Sequence, residues 1–201
     1  MEKEFWDFDE NINYIIVKDD ETNSSYKVLN IHKNFKKSAE YLIYFKKIIY
    51  LMCIYLYLNK YIYNIKDHSA IECFLDIHFY KPYLLSEMQI DTQFNGINKP
   101  RQLYKTNLEP IGSDGSDRAY YRHIFLTLRH SNGKFKTIKQ LIDLLIHELT
   151  HTMCNHIRWR NDDHGKDFIK YEKLLTDVYN KIYNIHKKDI NEYVKFLENL
   201  N

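Results

Sequence analysis

The segment at residues 141–154, LIDLLIHELTHTMC, restricts the folds open to this chain more than any other stretch. It is apolar around most of a helical circumference, so it predicts a helix that is largely buried. His147, Glu148 and His151 spell H-E-x-x-H within it. Because positions four apart share one face of a helix, both imidazoles point the same way. A buried Glu between them is costly unless a cation lies nearby, so the segment predicts a metal site.

Two imidazoles on one helix are typical ligands of Zn²⁺, and a catalytic zinc ion takes three protein ligands with water in the fourth position. His164 is our candidate for the third ligand, because the polar stretch between it and His151 lets the chain fold back to the metal. His156 is the competitor, but in a continuing helix it would lie about 140° round the axis from His151. Cys154 shares the face of the two helical histidines one turn further on, and we interpret it as a buried thiol rather than a fourth ligand.

Helical patterns flank the candidate site. Thr137, with Gln140 three residues later, forms a capping-box pattern before it. Gly165 opens a second helix after it, in which apolar residues recur at spacings of three and four: Phe168, Tyr171, Leu174, Leu175 and Val178. This spacing predicts that the second helix packs beside the first and holds His164 in place.

The same stretch resembles two families of metallopeptidase. The sequence HELTH at residues 147–151, with its upstream aliphatic run, is similar to the WLM-domain metallopeptidases. His-Gly-Lys-Asp-Phe at residues 164–168 is similar to the H-G-x-x-F segment of SprT-like (Spartan-type) proteases. Residues 94–98 (FNGIN) resemble the Leu-Gly-Leu-Asn segment of WLM domains, and residues 124–129 (IFLTLR) resemble their apolar strand before the metal helix. The likeness spans about residues 86–175, with a spacer to the third ligand that is closer to the SprT arrangement.

The resemblance implies an α+β, zincin-like fold of the minimal gluzincin type, in which a small twisted sheet packs on the H-E-x-x-H helix. We expect residues 81–201 to form this metallopeptidase core with its C-terminal helices. Residues 1–80 are expected to form an N-terminal extension packed on the core. Its sequence predicts a hairpin from residues 13–18 and 25–29, followed by a Tyr-rich helical segment at residues 34–63.

The resemblance also implies how a substrate would bind. Residues 124–129 would be the strand beside the metal helix whose edge pairs with an extended peptide, with Leu126, Thr127 and Leu128 as the substrate-binding residues. Such main-chain pairing gives affinity with little sequence selectivity. Lys99-Pro100, by contrast, is interpreted as part of a loop.

The expected chemistry is hydrolysis of a peptide bond. One catalytic Zn²⁺ ion held by His147, His151 and His164 would lower the pKa of its bound water to around 7 and polarise the scissile carbonyl. Glu148 would be the general base. Candidates for contacting the oxyanion are Tyr171, His156 and Arg158, and Asp163 is a candidate hydrogen-bond partner of a ligand histidine. Each of these four also has a structural explanation.

Charge and composition limit the partners. Lys and Arg number 29 against 27 Asp and Glu, a net charge of +2, so the strongly basic face of a typical phosphate-binding protein is not evident. DNA would be reached through a partner or through a local basic patch such as the lysines within residues 33–47. The uncharged run at residues 48–58 is shorter than the roughly 20 residues that a bilayer requires, which predicts a core helix and no membrane span.

Cysteine usage and the N-terminal sequence indicate where the protein acts. The three cysteines lack C-x-x-C spacing and the N-terminal residues lack a signal-peptide pattern, so we expect an intracellular protein of the cytoplasm or nucleus that is not secreted. Walker and Rossmann patterns are also lacking, so no nucleotide cofactor is expected.

Three functions stay open. The first is a zinc-dependent endopeptidase of the WLM or SprT type; those families include proteases that degrade proteins crosslinked to DNA, so the resemblance implies DNA-associated substrates. The second is a metallopeptidase that acts on a processing site or on small peptides without any link to DNA. The third is a non-catalytic interaction protein stabilised by zinc. Glu148 speaks against the third, because a structural zinc site needs no base and usually has four protein ligands.

Overall fold

The computed structural model describes residues 13–19, 21, 24–30, 33–80, 83–89, 95–102, 120–154 and 164–200. These residues build a mixed five-stranded sheet covered by helices. Its strands are β1 (Tyr14–Asp19), β2 (Ser24–Leu29), β3 (Tyr83–Glu87), β4 (Gly96–Gln102) and β5 (Tyr120–Leu126), in the spatial order β1-β2-β3-β5-β4. The outer pairs β1/β2 and β5/β4 are antiparallel, whereas β2/β3 and β3/β5 are parallel. The α+β class expected from the sequence is confirmed.

The predicted N-terminal hairpin is present and belongs to the main sheet. β1 and β2 pair in register from Tyr14 opposite Leu29 to Asp19 opposite Ser24, as their β-branched and aromatic residues favour. A parallel pairing of Lys27 with Ser86 then joins β2 to β3. The hairpin therefore extends the same sheet that carries the strands nearest the histidines.

Five α-helices accompany the sheet in the described part of the chain. They are α1 (Phe35–Asn59), α2 (His68–Leu75), α3 (Ile138–Met153), α4 (Lys166–Ile185) and α5 (Lys187–Asn199). The predicted capping box is present, because the Thr137 side chain accepts from the Gln140 backbone N–H and the Gln140 side chain accepts from the Thr137 backbone N–H. Residues of all five helices share one hydrophobic core with residues of β2, β3 and β5.

α1 is the longest described helix and lies mostly inside the protein. Leu42, Phe45, Ile49 and Met52 are completely buried in its middle. By length and composition the helical stretch Phe35–Ile62 is apolar enough to cross a bilayer, but 56% of its apolar 18-residue segment is buried inside the protein. Such burial is typical of a core helix.

β5 is an interior strand, so the prediction that residues 124–129 offer an open edge to a substrate is wrong. β5 is paired with β3 on one side and with β4 on the other. The proposed substrate-binding residues Leu126, Thr127 and Leu128 are all buried, and the Thr127 N–H donates to the Asn95 carbonyl. The physical reason is that the backbone groups on both sides of β5 already pair with β3 and β4, so they are not open to a substrate strand.

β4 forms the edge of the sheet among the described strands. It includes Lys99-Pro100, so the interpretation of this dipeptide as loop is also wrong. Proline has no N–H to donate, and within sheets it is therefore found mainly on edge strands. The outer side of β4 pairs with no described strand, so an extended chain could pair there instead of with β5.

Arg129, just after β5, forms a buried ion pair with Glu87 at the end of β3 and also hydrogen-bonds to the start of α1. Arg129 Nε donates to Glu87 Oε1 at 3.3 Å, and Arg129 Nη2 donates to Asn34 Oδ1 at 2.7 Å and to Ser38 Oγ at 3.2 Å. Glu87 Oε2 accepts from the Leu29 N–H at 3.0 Å. These hydrogen bonds offset the cost of removing both charges from water. The end of β2 and the start of α1 are thus connected by hydrogen bonds to the chain that leads into α3.

Candidate metal centre

Three imidazoles converge where α3 ends and α4 begins. His147 and His151 lie one turn apart on α3, and His164 precedes Gly165, the N-cap of α4. One ring nitrogen from each histidine lies within 4.8 Å of the other two. The Nε2 atoms of His147 and His164 are 3.2 Å apart. The structure therefore brings together the three residues that the sequence predicted as metal ligands.

The donor set fits a zinc ion. Two nitrogen ligands at about 2.0–2.1 Å from a tetrahedral zinc ion lie about 3.3–3.4 Å from each other, close to the 3.2 Å between the Nε2 atoms of His147 and His164.

The protonation of His147 also suits a metal ligand. Burial lowers the pKa of His147, although the hydrogen bond and the negative charge of Glu172 raise it. A lowered pKa favours the neutral imidazole, which is the form that binds a metal. Three protein nitrogens leave a fourth position for water.

Phe168 on α4 packs against all three rings. Its ring centroid lies 4.9 Å from those of His147 and His151 and 4.6 Å from that of His164. Because Phe168 is itself buried, it packs against the imidazoles and excludes water from one side of the cluster. Leu175, Val178 and Ile182 are buried further along α4. Leu175 and Val178 belong to the apolar pattern that the sequence predicted for this helix.

Glu148 is buried between α3 and β4. Its exposed fraction is 3%, and burial raises the pKa of its carboxyl to about 8. A Cβ atom added at Gly96 would lie 2.6 Å from Glu148 Oε1 and 2.9 Å from Glu148 Cγ, so only glycine leaves room for this carboxyl against the strand. A divalent cation at the histidines would favour the ionised carboxylate.

A buried polar network holds the end of α3 on β4. Asn98 Nδ2 donates to the Glu148 carbonyl oxygen and, at 2.9 Å, to Thr152 Oγ1. His78 Nε2 lies 3.0 Å from the same hydroxyl, and burial lowers the pKa of His78 to about 3, which keeps that imidazole neutral. The Cys73 thiol lies 3.5 Å from the Thr152 carbonyl oxygen. These contacts fix the helical turn that carries Glu148 and His151.

The other residues singled out in the sequence fall in different places. Cys154 is the half-buried C-cap of α3 and is not a member of the three-histidine group. Tyr171 is a half-buried residue of α4 whose pKa is raised by burial, so it keeps its hydroxyl proton at neutral pH; its contact with an oxyanion stays a prediction. His156, Arg158 and Asp163 lie outside the described residues.

Two contacts at the site were not anticipated from the sequence. One is the close approach of Gly96 to Glu148. The other is a hydrogen bond of 3.1 Å between His147 Nδ1 and Glu172 Oε1. The contact between His147 and Glu172 could have been found from the sequence, because Glu172 follows Phe168 by four residues and so shares its helical face. The contact between Gly96 and Glu148 joins residues far apart in the chain, and no local pattern indicates it.

No family model matches this chain, and neither a curated protein nor a solved structure matches it. The resemblance to WLM-domain and SprT-like proteases therefore stays a prediction, as does the zincin-like fold.

If Glu148 is the general base that the sequence predicts, Gly96→Ala is expected to lower the rate of the predicted hydrolysis and to leave the predicted metal site at the histidines intact. The added methyl group would force the Glu148 carboxyl to move, and a displacement of about 1 Å in a catalytic group can lower the rate by about 100-fold. Hydrolysis rate and zinc content measured on the same sample would check this. Val28→Ile is the matched control, because it also adds one methyl group to a buried strand residue, but on β2 and not on β4. Equal losses of activity in both variants would contradict the role of Gly96.

Proposed function

We propose that this protein is a zinc-dependent endopeptidase. The observation that carries the proposal is the convergence of His147, His151 and His164, each with a ring nitrogen within 4.8 Å of the others, next to a buried Glu at the second position of H-E-x-x-H. When bound, zinc would supply an acidified water molecule and polarise the scissile carbonyl. A three-ligand site beside a carboxylic acid is typical of hydrolytic rather than structural zinc.

The chain's own residues account for the remaining roles. Glu148 takes the proton of the attacking water and passes it to the leaving amine. Gly96 gives its carboxyl the space to stand against β4, and Phe168 shields the imidazoles from water on one side. In this proposal the base, Glu148, lies against β4, and the third ligand, His164, lies just before α4.

The substrate is proposed to bind along β4 rather than along β5. β4 lies at the edge of the described sheet, and its first residue, Gly96, lies against Glu148. An extended peptide that pairs with β4 would therefore pass close to the base. Binding through main-chain hydrogen bonds favours unfolded or extended protein segments over a single recognition sequence.

The lysines near α1 give little support to a direct role for DNA. Lys37 Nζ donates to the carbonyl oxygens of Glu198 and Leu200, and Lys46 Nζ donates to Ser24 Oγ. Lys47 Nζ lies 3.8 Å from Glu21 Oε2. Lys33 and Lys36 are exposed. Because the other three lysines of this cluster contact groups of the protein, we propose that cleavage does not require DNA, in contrast with the DNA-associated role that the family resemblance implies.

Hydrolysis of an unfolded protein before and after zinc removal tests this function. The wild type is expected to cleave reduced, unfolded casein, to lose that activity after dialysis against a chelator, and to regain it with one equivalent of zinc. Adding single-stranded DNA should change the rate by less than about twofold. Zinc binding without any cleavage would favour the non-catalytic function, and strict dependence on DNA would favour the DNA-linked one.

A further inference from the structure

The first two turns of α4 contribute two side chains to the candidate metal centre. Phe168 and Glu172 are four residues apart, so they share the side of α4 that meets α3. His164 lies just before the N-cap of this helix, Gly165. Phe168 contacts the three imidazole rings. Glu172 Oε1 lies 3.1 Å from Nδ1 of His147. α4 therefore contacts His147 through Phe168 on its ring and through Glu172 at the nitrogen that faces away from His164.

We propose that Glu172 is a positioning residue that fixes the tautomer and the ring orientation of His147 for metal binding, an inference that rests on the proposed zinc site. A carboxylate accepts a hydrogen bond, so Nδ1 of His147 carries the proton when it contacts Glu172. Nε2 then has the free lone pair. Nε2 is also the atom that lies 3.2 Å from Nε2 of His164, and so it is the atom that the site geometry assigns to the metal.

A hydrogen bond from Nδ1 of His147 to Glu172 would prepare this imidazole for metal binding. Either tautomer of a neutral imidazole is accessible in water, and only one of them presents Nε2 to the metal. A carboxylate on the other nitrogen selects that tautomer, stops ring rotation and makes the ligand more basic. The side chains of His147 and Glu172 are 36% and 38% exposed, so water competes for this contact. We therefore expect an effect near the lower end of the roughly 10- to 100-fold range for such partners.

Three variants test the role of Glu172. Glu172→Ala removes the acceptor, and Glu172→Gln keeps an oxygen acceptor but removes the charge. Asp177→Asn is the matched control, because Asp177 is an exposed acidic residue of the same helix. Zinc affinity is measured by competition with a chromophoric chelator, and the visible absorption of the cobalt(II)-loaded proteins reports ligand geometry. We expect Glu172→Ala to weaken zinc binding about 10-fold and to alter the cobalt spectrum, Glu172→Gln to lie between it and the wild type, and Asp177→Asn to match the wild type.

A measurement on metal-free protein separates this inference from the proposed function. Long-range ¹H–¹⁵N correlation spectra identify the tautomer of each histidine, and His147 is expected to carry its proton on Nδ1 in the wild type and to become a mixture in Glu172→Ala. An Nε2–H tautomer in the wild type, or unchanged zinc affinity in Glu172→Ala, would overturn the role of Glu172. A wild type that binds zinc tightly but cleaves nothing would instead overturn the proposed function and leave the positioning role standing.

Discussion

A Glu148→Gln variant is expected to bind zinc as tightly as the wild type and to hydrolyse unfolded protein at least about 100-fold more slowly, because general acid–base catalysis contributes about 10²- to 10⁴-fold. Gln has nearly the same shape as Glu, so it can occupy the space that Gly96 leaves open. It cannot accept the proton of the attacking water. The loss should therefore appear in kcat, with KM little changed.

The matched control for Glu148→Gln is Asp143→Asn on the same helix. Asp143 is exposed and pairs with Lys139 one turn away, so the same chemical change is made far from the sheet. Zinc content, melting temperature and initial rates are measured on both proteins. If Glu148→Gln retains wild-type activity while it binds zinc, Glu148 is not the base and the hydrolytic proposal loses its main support.

A His164→Ala variant is expected to lose stoichiometric zinc and, with it, all hydrolysis. Two imidazoles on α3 remain, but two nitrogen ligands hold zinc far more weakly than three. The fold itself should persist, since His164 is exposed and precedes the buried part of α4. Elemental analysis after gel filtration, alongside circular dichroism, separates loss of the metal from loss of the fold.

Two other histidines serve as controls for His164→Ala. His186 lies at the opposite end of α4, about 30 Å along the helix from its start, and His186→Ala should keep its zinc. His156→Ala tests the competing ligand proposed from the sequence. Loss of zinc in His156→Ala with retention in His164→Ala would show that the third ligand was wrongly chosen and that the fold-back of the chain to His164 does not form the site.

The parts of the site that the sequence predicted correctly depend on local rules. The helix α3 follows from a run of apolar residues and a capping box at Thr137 and Gln140, and both features act within one or two turns. The start of α4 after Gly165 follows from a change of pattern. His147 and His151 share a face by helical geometry alone. These elements were predictable because each one is specified by neighbours in the chain.

The parts that were missed depend on pairing between distant segments. Whether β5 lies at an edge or in the interior is decided by β3 and β4 together, although Pro100 in β4 pointed towards the observed order. The requirement for glycine at position 96 exists only because Glu148 packs there. Function is harder still to predict from sequence, because the binding of a metal and a substrate depends on side chains that only the complete fold brings together.

X-ray absorption at the zinc edge of the wild-type protein is the first measurement to make, because it counts and identifies the ligands of the bound ion. We predict one zinc per chain, with four nitrogen or oxygen neighbours at about 2.0–2.1 Å and a scattering pattern of three imidazoles. A sulfur neighbour at about 2.3 Å, which would make a cysteine such as Cys154 a fourth protein ligand, or the absence of stoichiometric zinc, would contradict a catalytic zinc site at the three histidines.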